Sequence, residues 1–233
     1  MSVVIKAVAF DIGYTIVSYK NPLNLQSLYR DALLEVLLAI GAEADSNRIQ
    51  AGEVVLLKYN TRVNNREYEV DSNTIFSELF RKWNFIDSGK IEVAKKAFYS
   101  FIQKSALVYD DTVEVLSTLR RKGYGTGALT DVAYGMDREY VLQDIAGIAE
   151  YFDVVLTSRD VGFRKPSVSG YLQLAGKLNT VPGEFIFVGD EEKDIIGANR
   201  AGMLSVLIDR ERQNKDYGQK HTIESMNGLL KLL

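Results

Sequence analysis

Apolar residues in this chain cluster in short runs rich in Val, Ile and Phe, and amphipathic stretches separate the later runs. Continuous apolar runs of this length are typical of strands buried on both faces of a parallel sheet. Strands that alternate with amphipathic helices predict a doubly wound α/β sheet. The predicted strands are residues 3–10, 125–130, 152–158, 184–190 and 204–209.

The stretch from about Ser18 to Val108 breaks this alternation, because it carries helical patterns only. Asp71 or Ser72 is a suitable N-cap for the third of its four predicted helices. We therefore expect an all-helical domain inserted after the first strand. The predicted division is a core of residues 1–18 and 108–233 and an insert of residues 19–107.

The composition narrows the possible chemistry. With 233 residues, 46% of them hydrophobic, the chain can bury a large core. The net charge of −3 gives no electrostatic reason to expect nucleic acid or an anionic membrane, so the expected partner is a small molecule. The absence of cysteine excludes disulfides and thiolate chemistry, and the single histidine, His221, lies in a polar segment typical of a surface. Carboxylates, lysines and hydroxyl groups must therefore do the chemistry.

The apolar segments do not suggest a membrane protein. The first run lacks the basic and long apolar regions of a signal peptide. The longest apolar stretch is interrupted by Glu35 and is too short to cross a bilayer. We expect a cytoplasmic location and no membrane partner.

Polar residues follow the predicted strands at the edge where ligands bind in doubly wound sheets. Any one of them could be a turn residue or a helix N-cap. Asp11 and Asp190 side by side would repel each other, and a hard divalent cation with oxygen ligands would relieve that repulsion. The sequence therefore predicts a magnesium site. The residues concerned are Asp11, Thr130, Asp131, Lys165, Asp190, Glu191 and Asp194.

These four strand-end segments resemble the four motifs of the haloacid dehalogenase-like (HAD) hydrolase superfamily. The similarity is continuous through "FRKPSVSGYLQLAGKL" and on to "EFIFVGDEEKDIIGANRAGM". The similarity covers the whole predicted core. The helical insert is similar only in its position, because members of the family carry a cap domain at this point of the chain. The resemblance implies a Rossmann-like core with a helical cap. It also implies a hydrolase, and the first candidate is a Mg²⁺-dependent phosphatase that acts on a small phosphorylated metabolite.

The resemblance also implies roles for individual residues. Asp11 would be the nucleophile that takes up the transferred group as an aspartyl intermediate. Thr130 and Lys165 would bind and neutralise developing negative charge, with Asp131 beside them in the substrate site. The expected Mg²⁺ ligands are Asp11, Asp190 and the backbone carbonyl of Gly13, with Glu191 and Asp194 supporting the site from behind.

Gly13 departs from the pattern of the family's phosphatases, which place a second Asp two residues after the nucleophile as the acid for the leaving group. General acid catalysis typically contributes about 10²- to 10⁴-fold, so a phosphatase without that acid is handicapped on poor leaving groups. The enzyme could act on good leaving groups, or take an acid from the cap or from Tyr14.

Other chemistries also accommodate Gly13. The superfamily's 2-haloacid dehalogenases lack the second Asp, since halide leaves as an anion; phosphonate hydrolases lack it too and use a cap lysine, for which Lys58 is a candidate. A catalytically weak binding protein is the remaining alternative. The dehalogenases have Tyr-Gly where this chain has Gly-Tyr, need no metal, and lack the acidic "GDEEKD" segment. Retention of Asp190 and Asp194 therefore favours magnesium and phosphorus.

Overall fold

The computed structural model describes residues 4–20, 25–103 and 106–233, so Val3 of the first predicted strand lies outside the described residues. The strands are β1 (Ala7–Phe10), β2 (Val17–Tyr19), β3 (Ala106–Val108), β4 (Gly125–Thr130), β5 (Val154–Thr157), β6 (Phe185–Gly189), β7 (Leu204–Ile208) and β8 (His221–Ile223). The α-helices are α1 (Tyr29–Ile40), α2 (Ser46–Tyr59), α3 (Ser72–Lys82), α4 (Ile91–Ile102), α5 (Asp110–Arg121), α6 (Arg138–Asp144), α7 (Ser158–Val161), α8 (Val168–Lys177) and α9 (Glu192–Ala201).

Six strands form one parallel sheet in the order β5-β4-β1-β6-β7-β8. Residues of β1 alternate between the two faces: Val8 packs into the apolar cluster that contains α5, and Ala9 into the cluster that contains α8 and α9. Helices thus cover both faces of the sheet, which confirms the predicted doubly wound α/β fold. The five predicted strands correspond to β1, β4, β5, β6 and β7.

The region between β2 and β3 is helical, as predicted. Helices α1 to α4 lie there, and the described residues 25–103, here called the helical insert, contain no strand. Asp71 is the N-cap of α3, where its side chain accepts a hydrogen bond from the Asn73 N–H at 2.7 Å. Across the described part of the chain, no helix combines the length and the apolar character needed to cross a membrane.

Three short strands were not predicted. β2 and β3 pair antiparallel at the two ends of the insert, with Val17 opposite Val108. β8 adds to the sheet edge beside β7 and begins at His221, whose side chain is exposed as expected. Each of these strands has only three residues, too few for a periodic pattern to distinguish them from loops.

Ion pairs and one close backbone approach join the insert to residues 4–20 and 106–233, here called the sheet domain. Arg159 pairs with Asp71 at 2.7 Å, and Lys95 of α4 pairs with Asp137 at 2.7 Å. Gly135 has a φ of +64°, and a Cβ built on it would lie 2.1 Å from the Val70 carbonyl oxygen. Only glycine allows the two backbones to come this close. The insert therefore lies directly against the loop that follows β4.

Candidate active site

The site lies at the carboxyl edge of the central strands. Asp11 follows β1, Thr130 ends β4 and Asp190 follows β6, and these three strands are neighbours in the sheet. The Asp11 N–H donates to the Val188 carbonyl oxygen at 2.9 Å, which continues the sheet ladder to the position of the carboxylate. The backbone of Asp11 is therefore held by the sheet, while its side chain reaches the end of it.

Lys165 lies between two carboxylates beneath this edge. Its Nζ is 2.5 Å from Asp11 Oδ1 and 2.6 Å from Asp194 Oδ1, and it also donates to the Leu129 carbonyl oxygen at 3.3 Å. Burial alone would lower the pKa of Lys165, but Asp11 and Asp194 raise it well above its usual range. The lysine is thus a permanent buried cation that fixes the position of Asp11.

Gly189 makes the position of Asp194 possible. A Cβ at Gly189 would lie 2.4 Å from the Asp194 Cβ, so a side chain there would exclude the carboxylate from its place under the strand end. Asp194 also accepts a hydrogen bond from the Glu191 N–H at 3.0 Å, which closes a capping box at the start of α9. The sequence Gly-Asp-Glu-Glu-Lys-Asp therefore folds into a turn that places its last carboxylate on Lys165.

Negative charge exceeds positive charge at this edge. Asp11, Asp190 and Asp194 each offer a carboxylate oxygen within 4.8 Å of the others. Burial raises the pKa of Asp11 to about 6, although Lys165 counteracts it. Burial, with Asp11 and Asp194 nearby, raises the pKa of Asp190 to about 8. Three carboxylates share one lysine here, and a hard divalent cation with oxygen ligands would balance them.

A second group of charges lies beside the first. Asp131 accepts a hydrogen bond from the Lys165 N–H at 3.0 Å and pairs with Lys193 Nζ at 3.0 Å. Lys193 also pairs with Glu191 at 3.0 Å, and Arg62 of the insert pairs with the same carboxylate at 2.5 Å. Burial would raise the pKa of Glu191, but Lys193 and Arg62 lower it to about 2.

Sequence reasoning missed Arg62 and Lys193. Both line the cavity over the site, where they bring positive charge suited to an anionic ligand. Lys193 lies inside the "GDEEKD" motif and could have been noticed there. Arg62 comes from a polar loop of the insert, and no local pattern indicates that this loop lies over the sheet edge. Glu191 connects the two cations.

The cavity has a volume of about 160 Å³ and contains most of the predicted site residues in its wall. Both the sheet edge and the insert contribute to it. Lys58 does not, because its ammonium group pairs with Glu78 at 2.7 Å on the exposed surface between α2 and α3. The structure therefore contradicts the suggestion that Lys58 is a cap lysine of a phosphonate hydrolase. The predicted residues in the wall are Asp11, Gly13, Thr130, Asp131, Asp190 and Glu191, while Lys165 and Asp194 lie behind them.

Comparison with known proteins agrees with this geometry. Residues 5–202 match the family model described as haloacid dehalogenase-like hydrolase. A glyceraldehyde 3-phosphate phosphatase of Methanopyrus kandleri is 30% identical over 208 residues, which is 88% of this chain and 84% of the relative. The chain belongs to the haloacid dehalogenase-like hydrolases.

Solved structures show the same fold over almost the full length. A HAD phosphatase from Thermococcus onnurineus superposes with a TM-score of 0.66 at 26% identity, covering 98% of this chain and 97% of that one. A 2-haloacid dehalogenase from Pseudomonas syringae pv. Tomato DC3000 superposes with a TM-score of 0.68 at 19% identity, with the same coverage. The second likeness bears on the fold alone, so it does not distinguish a phosphatase from a dehalogenase.

Proposed function

We propose that this hydrolase is a Mg²⁺-dependent phosphatase acting on a small phosphate monoester, with Asp11 as its nucleophile. The observation that carries the proposal is the ion-paired lysine between Asp11 and Asp194, next to Asp190 at the sheet edge. The dehalogenases of this family need no metal, so a surplus of carboxylates that suits a cation favours the phosphatase. The names of the relatives, which include a glyceraldehyde 3-phosphate phosphatase, support phosphorus chemistry.

The proposed reaction has two steps. A carboxylate oxygen of Asp11 attacks the phosphorus, the bond from phosphorus to the ester oxygen breaks, and the departing alkoxide takes up a proton from water. Water then attacks the phosphorus of the aspartyl phosphate, which releases inorganic phosphate and restores Asp11. Lys165 holds the nucleophile in place, and the hydroxyl group of Thr130 donates to the phosphoryl group as charge develops.

The proposed Mg²⁺ ligands are Asp11, Asp190 and the carbonyl oxygen of Gly13. Bound there, the ion would polarise the phosphoryl group and offset the repulsion between the carboxylates. Thr15 donates a hydrogen bond to Asp190 at 3.1 Å and so orients one of these ligands. Arg62 and Lys193 supply further positive charge toward the phosphate.

We also propose that the boundaries of the helical cap lie within the paired strands, with residues 1–18 and 108–233 as the core and 19–107 as the cap. The antiparallel pairing of Ser18 with Leu107 supports this, because it holds both connections of the cap side by side. Such a pair suits a hinge, since both chain crossings can bend together.

The test is hydrolysis of p-nitrophenyl phosphate and a panel of phosphate esters by the purified protein, with Mg²⁺ and with excess EDTA. We expect activity that requires the cation and is lost in Asp11→Asn, because an amide is a poor nucleophile. Asp31→Asn, an exposed change on α1, serves as the matched control and should retain full activity. Wild-type rates in Asp11→Asn would overturn the assignment of the nucleophile.

Gly13 favours one second candidate, a 2-haloacid dehalogenase, because halide departs without a proton. The same preparation is therefore assayed for release of chloride from 2-chloropropionate, with and without EDTA. Release of chloride in excess EDTA, with no hydrolysis of any phosphate ester, would establish the second candidate in place of the first.

A further inference from the structure

The wall of the active-site cavity has a charged part and an apolar part. Charged residues surround Asp11 at the sheet edge, and the rest of the wall is mostly apolar. Within that apolar part lies one polar group, formed by the side chains of Tyr19, Gln103 and Asp144. The apolar residues of the wall are Ile12, Leu25, Ile102, Ala133, Met136 and Val141.

The three polar residues come from different parts of the chain. Tyr19 ends β2, Gln103 follows α4 of the insert, and Asp144 ends α6. The Tyr19 hydroxyl donates to one carboxylate oxygen of Asp144 at 3.2 Å, and the Gln103 amide donates to the other at 3.1 Å. Gln103 also donates to the Tyr140 carbonyl oxygen at 2.6 Å, which fixes the orientation of its amide.

Asp144, like Asp190, lines the cavity without a basic partner among the described residues. Asp11 pairs with Lys165 and Asp131 with Lys193, but no ion pair of Asp144 occurs within the described ranges. Each carboxylate oxygen of Asp144 receives one hydrogen bond and can accept another. Burial raises the pKa of Asp144 to about 6 in spite of these two donors. A further donor from a ligand would stabilise the charged form.

The group lies close to the reacting centre. The ring of Tyr19 lies against Gly13, where an added Cβ would be 3.4 Å from the Tyr19 Cε2 atom. Gly13 is two residues from Asp11 and lines the same cavity. Tyr19 and Asp144 therefore line the same cavity as Asp11.

We propose that Asp144, held by Tyr19 and Gln103, accepts a hydrogen bond from the leaving group, so that the enzyme selects phosphate esters whose alcohol carries a second hydrogen-bond donor, a hydroxyl or an ammonium group. This inference rests on the proposed phosphatase function. Asp144 is then a specificity-determining residue. A buried polar group left without its partner disfavours an analogue that lacks the donor far more strongly than an apolar pocket disfavours a missing methylene group.

The test compares kcat/KM for three esters of matched size: glycerol 1-phosphate, 3-aminopropyl phosphate and propyl phosphate. We expect wild type to prefer at least one of the first two over propyl phosphate by about tenfold or more. Asp144→Ala should reduce this preference to within about threefold by slowing the donor-bearing esters more than propyl phosphate. Glu139→Ala, an exposed change on the same helix, is the control and should keep the preference.

Asp144→Asn is a second, more conservative variant, which tests the proposal if Asp144→Ala does not fold. It keeps one acceptor but loses the charge, so any preference for the ammonium ester should fall more than that for the hydroxyl ester. An equal rate on all three esters in wild type, or an unchanged preference in Asp144→Ala, would overturn the proposal.

A binding measurement separates this inference from the proposed function. We expect Asp11→Asn not to turn over, so the shift of its melting temperature by each ester reports affinity alone. Greater stabilisation by the donor-bearing esters, lost in Asp11→Asn/Asp144→Ala, supports the role of Asp144 even if wild type hydrolyses none of them. Equal stabilisation by all three esters contradicts it.

Discussion

Lys165 shows how one residue can serve both stability and chemistry. It is buried between Asp11 and Asp194, and removing it leaves two buried carboxylates without their cation. An uncompensated buried charge is far more costly than a lost surface ion pair. The same side chain that orients the proposed nucleophile is therefore also needed for the fold.

We expect Lys165→Met to lower the free energy of unfolding by about 3 kcal/mol and to remove activity. Urea denaturation at neutral pH measures the first effect, with Lys177→Met, an exposed change at the end of α8, as the control. Equal stability of the two variants would mean that the carboxylates do not depend on Lys165 for their charge balance.

Asp144 gives a prediction with a definite pH dependence. Burial raises the pKa of its carboxyl group to about 6, so the folded protein holds this proton more tightly than the unfolded chain does. The resulting stability is present at low pH and is lost as the pH rises through 6. The groups whose hydrogen bonds oppose the shift, Tyr19 and Gln103, are uncharged at neutral pH.

Replacing Asp144 with Asn removes this titration. The free energy of unfolding of Asp144→Asn relative to wild type should therefore rise by about 2 kcal/mol between pH 4 and pH 7, allowing for partial exposure of the carboxyl group to the cavity. Denaturation curves across this range measure it. A difference that does not vary with pH would mean that Asp144 has an ordinary pKa.

At the scale of the element, two aspartates cap helices of the insert in the same way. Asp45 accepts a hydrogen bond from the Arg48 N–H at the start of α2, and Asp71 accepts one from the Asn73 N–H at the start of α3. Asp71 also pairs with Arg159 of the sheet domain. The two caps are therefore matched in their local role and differ in the ion pair that Asp71 makes with Arg159.

Each alanine variant, Asp45→Ala and Asp71→Ala, should lose about 1 kcal/mol of stability. Only Asp71→Ala should also raise KM, because it weakens the hold of the insert on the sheet domain. Melting curves and steady-state kinetics on p-nitrophenyl phosphate check both effects. A raised KM in Asp45→Ala as well would attribute the effect to a weakened helix and not to the ion pair.

Much of the fold could be predicted from the sequence, because the long elements carry strong periodic patterns and parallel strands end at a common edge. Asp11, Thr130 and Asp190 were placed together by that rule alone. Arg62 and Gln103 could not be placed, since their positions depend on how the insert packs on the sheet domain. Asp144 was missed because the orientation of a short helix after a loop is set by tertiary contacts.

At the scale of the whole molecule, Gly135 sets how closely the insert approaches the sheet domain. We expect Gly135→Ala to push the insert away from the loop after β4, since its Cβ would overlap the Val70 carbonyl. Activity should fall by at least about tenfold as water enters the cavity.

Gly123→Ala is the matched control, because Gly123 has a φ of +78° but no atom within 4 Å of the added Cβ. Both variants strain the backbone by about 1 to 2 kcal/mol, and only the first meets a steric clash. Activity and melting temperature of the two are compared side by side. Similar activity in both variants would show that the close approach at Gly135 is not needed for turnover.

The charged contacts between insert and sheet domain have a kinetic consequence. Arg62 lines the cavity and pairs with Glu191, and Arg159 pairs with Asp71, so we expect these pairs to resist the exit of the phosphate formed in the proposed reaction. Salt screens such partly exposed pairs. If exit of the product limits the rate, moderate salt speeds kcat while it weakens capture of the dianionic ester and so lowers kcat/KM. Opposite salt responses of the two constants would identify release, and not bond cleavage, as the slow event in each cycle.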